Sequence, residues 1–275
     1  MTHRFAILDS PNIANSTANQ HLTLRLWRAR PTPHPISMST SALARLPASG
    51  APDLLYLLFH DAGANAEQMT ALAQALAAQY PQAAVLCVHA PDGFDGDRAA
   101  AASAAPTAAD ARQWFSAPGL GADPSLLGSR VAAALAHFIA VLRGLQQRFG
   151  IGWERTALAG FGQGATMVLE AVQAEPQLAG RVLAFAGRHV DLPDHAPADT
   201  SVHLFHGQDD AVVSYRASVE SARALVGLGA DVTADVLPDI GHELDPALID
   251  AAIHQLRTFL PQKVWREAMK AAPTT

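Results

Sequence analysis

One cysteine among 275 residues rules out an intramolecular disulfide scaffold. Charge is scarce: only 16% of residues are Asp, Glu, Lys or Arg, while 49% are apolar. That balance excludes disorder over most of the chain, because disordered segments combine low hydrophobicity with high charge. There is no basic block, and 19 Lys+Arg against 25 Asp+Glu leave a net charge of −6. A nucleic-acid partner held through its phosphates is therefore not expected. No continuous apolar run approaches the roughly 20 residues of a membrane-spanning helix, so no membrane span is expected. The start, MTHRFAILDS, lacks a basic n-region followed by an apolar h-region. On these absences the expected protein is soluble, globular and cytoplasmic.

What is present begins late. Residues 28–36 (RARPTPHPI) hold three prolines and show no helical or strand period. Residues 1–50 are accordingly expected to be an unstructured extension, with Met38 a sensible alternative start. From Leu54 onward short apolar runs alternate with longer helical ones. The run Leu54–Phe59 (LLYLLF) reads as a strand buried on both faces. Further strands are expected at 84–88, 156–159, 182–185, 202–205 and 232–237. Helices are expected at 67–80, 126–149, from the turn after Gly160, at 215–228 and at 246–260. The alanine-rich stretch 99–111 carries no apolar stripe and reads as a surface loop or weak helix. The alternation implies an α/β domain at 51–265, with a mostly parallel central sheet, helices on both faces and a tail at 266–275.

In such a sheet, chemistry gathers at the carboxyl ends of the strands. Four loops there carry candidates. Gly160-Phe161-Gly162-Gln163-Gly164-Ala165 follows a strand and opens a helix, in the frame G-x-S-x-G of a nucleophile elbow. Gly162 stands where that frame has Ser. A dinucleotide-binding reading fails, because the strand is not the first and no acidic ribose ligand follows about 20 residues on. His206–Val213 (HGQDDAVV) follows another strand, and Gly241-His242-Glu243 the next. An acid and then a His at successive strand ends is the order in which such enzymes supply the last two members of a triad. Asp210 would orient His242, which would serve as general base and then acid. His242-Glu243 is not H-E-x-x-H, so a zinc reading is poor, and no cofactor is expected. The fourth loop, His60-Asp61-Ala62-Gly63-Ala64, would donate a backbone N–H from Ala62 to an oxyanion hole. Gln163 would donate the other.

These segments resemble the phospholipase/carboxylesterase family of α/β-hydrolases, most closely its small bacterial YpfH-like branch. The resemblance rests on LLFHDAG, RQWF (112–115), GFGQGA, HGQDDAVV and GHEL, and spans roughly 54–260. It implies an α/β-hydrolase fold and a metal-free carboxylesterase acting on short acyl esters, thioesters or lysophospholipids. It also implies Asp210 as acid, His242 as base and Ala62 and Gln163 as oxyanion donors. His60, Asp61, Trp114 and Phe115 would then lie at the substrate pocket, although Trp114 and Phe115 fit the hydrophobic core equally well. The implied partner is a small-molecule ester or acyl ligand, and the protein would be a monomer or homodimer.

Two residues depart from the family pattern: Gly162 replaces Ser, and Asp61 replaces the Gly that follows His60. Without an Oγ, residue 162 cannot form an acyl-enzyme. Three readings follow. The chain could be an esterase in which Gly162 is a simple replacement of Ser. It could be a non-catalytic pseudo-hydrolase that binds an acyl ligand or protein partner. It could also work through water held by Asp61 and activated by His242. Thr166, Ser116 and Cys87 offer no obvious substitute nucleophile.

Overall fold

The apolar hexamer at 54–59 is an inner strand of an eight-stranded sheet. The computed structural model describes residues 22–26, 38–97, 107, 109–120, 122–123, 125–262, 264–265 and 269. In chain order the strands are β1 (Leu22–Leu26), β2 (Met38–Arg45), β3 (Leu54–Phe59), β4 (Ala83–Val88), β5 (Asp92–Gly93) and β6 (Arg112–Gln113). They continue with β7 (Thr156–Phe161), β8 (Arg181–Phe185), β9 (Ser201–Gly207) and β10 (Asp231–Leu237). The helices are α1 (Thr70–Gln79), α2 (Leu126–Phe149), α3 (Gln163–Ala174), α4 (Tyr215–Gly227) and α5 (Pro246–Thr258). The main sheet runs β1-β2-β4-β3-β7-β8-β9-β10, and β5 and β6 form a separate two-stranded ribbon.

From β4 through β10 the neighbours are parallel. β2 joins β4 antiparallel, with Leu43 opposite Cys87, and β1 lies parallel to β2. An apolar cluster fills each face. Leu72 and Leu76 of α1 and Leu248 and Ile249 of α5 pack with Leu58, Phe161 and Phe185. On the other face Val131, Phe138 and Leu142 of α2, Met167 and Leu169 of α3 and Leu225 of α4 meet Leu57, Phe59 and Leu158. The strands carry few charges because both faces of the sheet are covered.

Three expectations change here. The first fifty residues are not wholly unstructured: β2 extends the sheet and buries Ala42 and Ala44, while β1 precedes Met38 and pairs with it. Residues 1–21 and 27–37 lie outside the described residues, as do most of 99–111 and of the 266–275 tail. Secondly, α2 is long and apolar enough to cross a membrane by length and composition. Its inner stripe, Leu127, Val131, Phe138, Leu142 and Leu145, joins the sheet core. Thirdly, the helix expected at 67–80 begins as a 3-10 turn, Ala66–Met69, capped by the Asn65 side chain.

Candidate active site

Parallel pairing aligns the strand ends. Phe59 lies opposite Gly160 across β3 and β7, so the loop that begins at His60 meets the turn that begins at Gly162. That turn is a sharp elbow. Gly162 has φ 55° and ψ −114°, left-handed backbone that strains any residue with a Cβ. A Cβ on Gly164 would come closer than 3.0 Å to the Phe59 and His60 backbone, so this glycine lets α3 sit directly against β3.

At the far side, β9 and β10 end together: Gln208 N–H donates to Leu237 O at 2.8 Å and Asp209 N–H to Ile240 O at 2.9 Å. This brings the Asp210 and His242 loops into contact. His242 Nδ1–H donates to Asp210 Oδ2 at 2.7 Å, with the Asp210 side chain fully buried. Asp210 Oδ1 accepts from the Val212 and Val213 N–H groups, both at 2.8 Å, so the DDAVV turn fixes its orientation. Burial alone would raise the Asp210 pKa. Hydrogen bonds from His206, His242 and Val213 outweigh it and hold the carboxyl well below the usual range.

The other ring nitrogen of His242 meets Asp61. Nε2 lies 3.2 Å from Asp61 Oδ2, while Asp61 Oδ1 accepts from the Gln163 N–H at 2.7 Å. The Asp61 carboxylate thus bridges the imidazole and the backbone donor expected to hold an oxyanion. It does so in the space a side chain at 162 would fill. A Cβ built on Gly162 would lie closer than 3.0 Å to Asp61 Oδ1, Cγ and Oδ2 alike. Burial lowers the pKa of His242, but its bonds to Asp210 and Asp61 and the nearby carboxylate charges dominate and raise it to about 9. At neutral pH the ring is an imidazolium between two carboxylates, with the Phe161 ring at 4.9 Å.

The remaining candidates fall into place around this core. His60 was expected at the substrate pocket but is fully buried, and both its nitrogens are used by backbone. Nδ1–H donates to Asp61 O at 2.6 Å, and Nε2 accepts from the Ala90 N–H at 3.0 Å. Burial pushes its pKa down to about 4, so it is a neutral bracket for the Asp61 loop. Trp114 and Phe115 belong to the apolar core, each only 5% exposed. The Trp114 Nε1–H donates to His60 O at 2.7 Å, and its ring stacks edge-on against Phe59 and Phe138. Trp114 also lines a cavity of about 310 Å³ with His89, His137, Phe138, Val141 and Met167. A larger cavity, about 620 Å³, opens at the amino ends of the strands around Leu54, Thr156 and Arg181, at the opposite end of the sheet from Asp210 and His242.

Three residues without an assigned role in the sequence, His206, Ser218 and Gln68, support the site, and so does the side chain of Gln163. His206 Nε2 lies 2.8 Å from Val213 O and 3.1 Å from Asp210 Oδ2, and its Nδ1 meets Ser218 Oγ at 2.7 Å. The Gln163 side chain accepts from Trp114 N–H and donates to Phe115 O, both at 2.9 Å, tying RQWF to the elbow. Gln68 Oε1 accepts the Asp61 N–H at 2.8 Å. The His206–Asp210 spacing of four was the one available signal, but it also describes many loops. Meanwhile Thr166 Oγ1 turns to Gly162 O, Ser116 Oγ to Asp95, and the Cys87 thiol is buried and pushed up to about 12.

A parallel sheet ending in an elbow, an acid-supported His and backbone donors defines an α/β-hydrolase of carboxylesterase type. The chain belongs to the phospholipase/carboxylesterase family, whose model matches residues 48–260. It is 38% identical over 216 residues to esterase YpfH of Escherichia coli K12, covering 78% of this chain and 87% of that protein. It is also 31% identical over 167 residues to acyl-protein thioesterase 1 of Gibberella zeae, covering 54% and 69% respectively. Among solved structures, esterase PE8 superposes with a TM-score of 0.71 at 26% identity, over 80% of this chain and 99% of that one.

Proposed function

We propose that this protein hydrolyses small acyl esters and thioesters, with the Asp61 carboxylate in the place a serine hydroxyl would occupy. The observation that carries this reading is the bridge from His242 Nε2 through Asp61 to the Gln163 N–H, in a space residue 162 leaves empty. Family membership supplies the substrate class. A binding-only site gives no reason to bury two carboxylates around an imidazolium, an arrangement that costs desolvation unless every group is satisfied. A simple replacement of Ser by Gly gives no reason for Asp61 to fill the gap.

The protonation state also suits Asp61 rather than a hydroxyl nucleophile. A serine needs a neutral imidazole as base, whereas this His242 starts with a proton to give. A leaving group can take that proton as the acyl bond breaks. The expected ligand is a short acyl group. The ligand's carbonyl oxygen would turn to the Ala62 N–H.

Assays with p-nitrophenyl butyrate and S-butyryl-N-acetylcysteamine test this directly. The unaltered protein turns over at least one of them, and Asp61→Asn and His242→Gln each abolish turnover while still melting cooperatively. Absence of turnover by the unaltered protein on both substrates would overturn the reading.

A further inference from the structure

Resting on the hydrolase reading above, we infer that Asp61 is a covalent nucleophile for thioesters and aryl esters, and that water completes the cycle by adding to Cγ of Asp61. The two carboxylate oxygens have different surroundings. Oδ1 sits 2.7 Å from the Gln163 N–H, and Oδ2 sits 3.2 Å from His242 Nε2. The donor that would stabilise a substrate oxyanion therefore already holds an oxygen of the enzyme's own carboxylate. Once Oδ2 is acylated, Oδ1 is a carbonyl oxygen polarised by that N–H, and Asp61 Cγ becomes the activated electrophile.

The steps balance. In the first, an Oδ2 lone pair forms the bond to the acyl carbon and the acyl C–S bond breaks. The sulfur keeps the bonding pair and takes the proton from His242 Nε2. The products are a mixed anhydride, a free thiol and a neutral imidazole. In the second, His242 Nε2 takes a proton from water as the water oxygen adds to Cγ, and negative charge collects on Oδ1 at the Gln163 N–H. The Cγ–Oδ2 bond then breaks, and the acyl carboxylate leaves carrying Oδ2. Asp61, now holding one solvent oxygen, loses its proton to bulk water.

His242 must act first as an acid and then as a base, and the charges arrange this. With Asp61 ionised, the ring lies between two carboxylates and stays protonated. Acylation removes one of those two charges, so the imidazole left behind is a free base. A site in which Asp61 only holds a water would need the neutral ring at rest, beside both carboxylates.

The nucleophile also selects the leaving group. A carboxylate is a weak base, of ordinary pKa about 3.9, so its adduct expels whichever group is easier to release. Thiols, at about 8.5, and phenols, at about 10, can depart with a proton from His242. An alkanol resembles water, at about 15.7, and the adduct of an alkyl ester reverts. The substrate class is therefore the activated acyl group, thioester or aryl ester, and not the simple alkyl ester.

A single turnover of S-butyryl-N-acetylcysteamine in heavy-oxygen water, with enzyme in excess, tests the inference. Peptide mass spectrometry is expected to find one heavy oxygen in Asp61 and none in the butyrate, with ethyl butyrate left intact. Heavy oxygen in butyrate and none in Asp61, with turnover still lost in Asp61→Asn, would overturn the covalent role and leave the hydrolase reading standing. No turnover of thioester or aryl ester would overturn both. The double variant Asp61→Gly/Gly162→Ser guards against misfolding in Asp61→Asn. It should gain ethyl butyrate hydrolysis with the solvent oxygen now in butyrate, and equal labelling of Asp61-containing peptide in unaltered and His242→Gln protein would overturn the inference.

Discussion

Asp61 and Gly162 compete for one space: the carboxylate of the first stands where any side chain on the second would have to be. The two departures from the family pattern are therefore one structural event. Asp61 can hold this position only because residue 162 is Gly, since a Ser at 162 would have to push the Asp61 carboxylate off both His242 and the Gln163 N–H.

Gly162→Ser alone is expected to yield no serine esterase and a less stable protein. Overpacking and a non-glycine residue at φ 55° each cost about 1–3 kcal/mol. Thermal melting should fall accordingly, and a fluorophosphonate probe should not label the variant. In the double variant Asp61→Gly/Gly162→Ser the probe should label Ser at 162, because the displaced carboxylate is gone.

Activity should fall on the alkaline side as His242 loses its proton near its raised pKa of about 9. The same shift predicts a stability change of definite sign. The folded pKa exceeds the ordinary value of 6.5, so the contribution is full below about 6.5 and is lost as pH rises through about 9. Asp61→Asn removes one of the groups that raise this pKa, and the alkaline limb of the melting profile should move to lower pH. An unmoved limb would show that Asp210 alone sets the titration.

His60 should behave as a bracket and not as a pocket residue. His60→Ala removes a buried ring bonded to the Asp61 carbonyl and the Ala90 amide, at an expected cost of about 1–3 kcal/mol from the orphaned groups. Its pKa is depressed to about 4, so its contribution is present above 6.5 and lost as pH falls toward 4. Chemical denaturation at pH 7 and pH 5 checks both the size and the sign.

Replacing His206 tests whether Asp210 needs its second imidazole. His206→Phe deletes the contact at 3.1 Å to Asp210 Oδ2 and leaves Ser218 Oγ with only its 3.5 Å bond to Gly187 O. We expect kcat to fall more than KM changes, with the alkaline limb displaced, because Asp210 would be held less firmly against His242. A purely structural role would lower the melting temperature and leave the pH profile where it was.

Much of this protein is legible along the chain. Runs such as Leu54–Phe59 and Thr156–Ala159 are apolar without alternation, which identifies inner parallel strands, and GFGQGA, HGQDDAVV and GHEL mark the strand ends in family order. β2 escaped notice because MSTSALAR mixes hydroxyls with small apolar residues, and its place in the sheet comes from pairing with β4. Trp114 and Phe115 read equally well as pocket or core, and His60 reads as pocket only, since burial is a property of the neighbours.

By itself the order of residues determined the family, the parallel sheet, the Asp210–His242 pair and the lack of a hydroxyl at 162. Only the tertiary structure decided what stands in that hydroxyl's place. Asp61 and Gly162 lie on separate loops, and no local pattern relates them. The parallel register of β3 on β7 sets Phe59 beside Gly160, and the next residues of each strand end must then share a single volume. Side chains cannot overlap, so the glycine at 162 is what admits the carboxylate at 61.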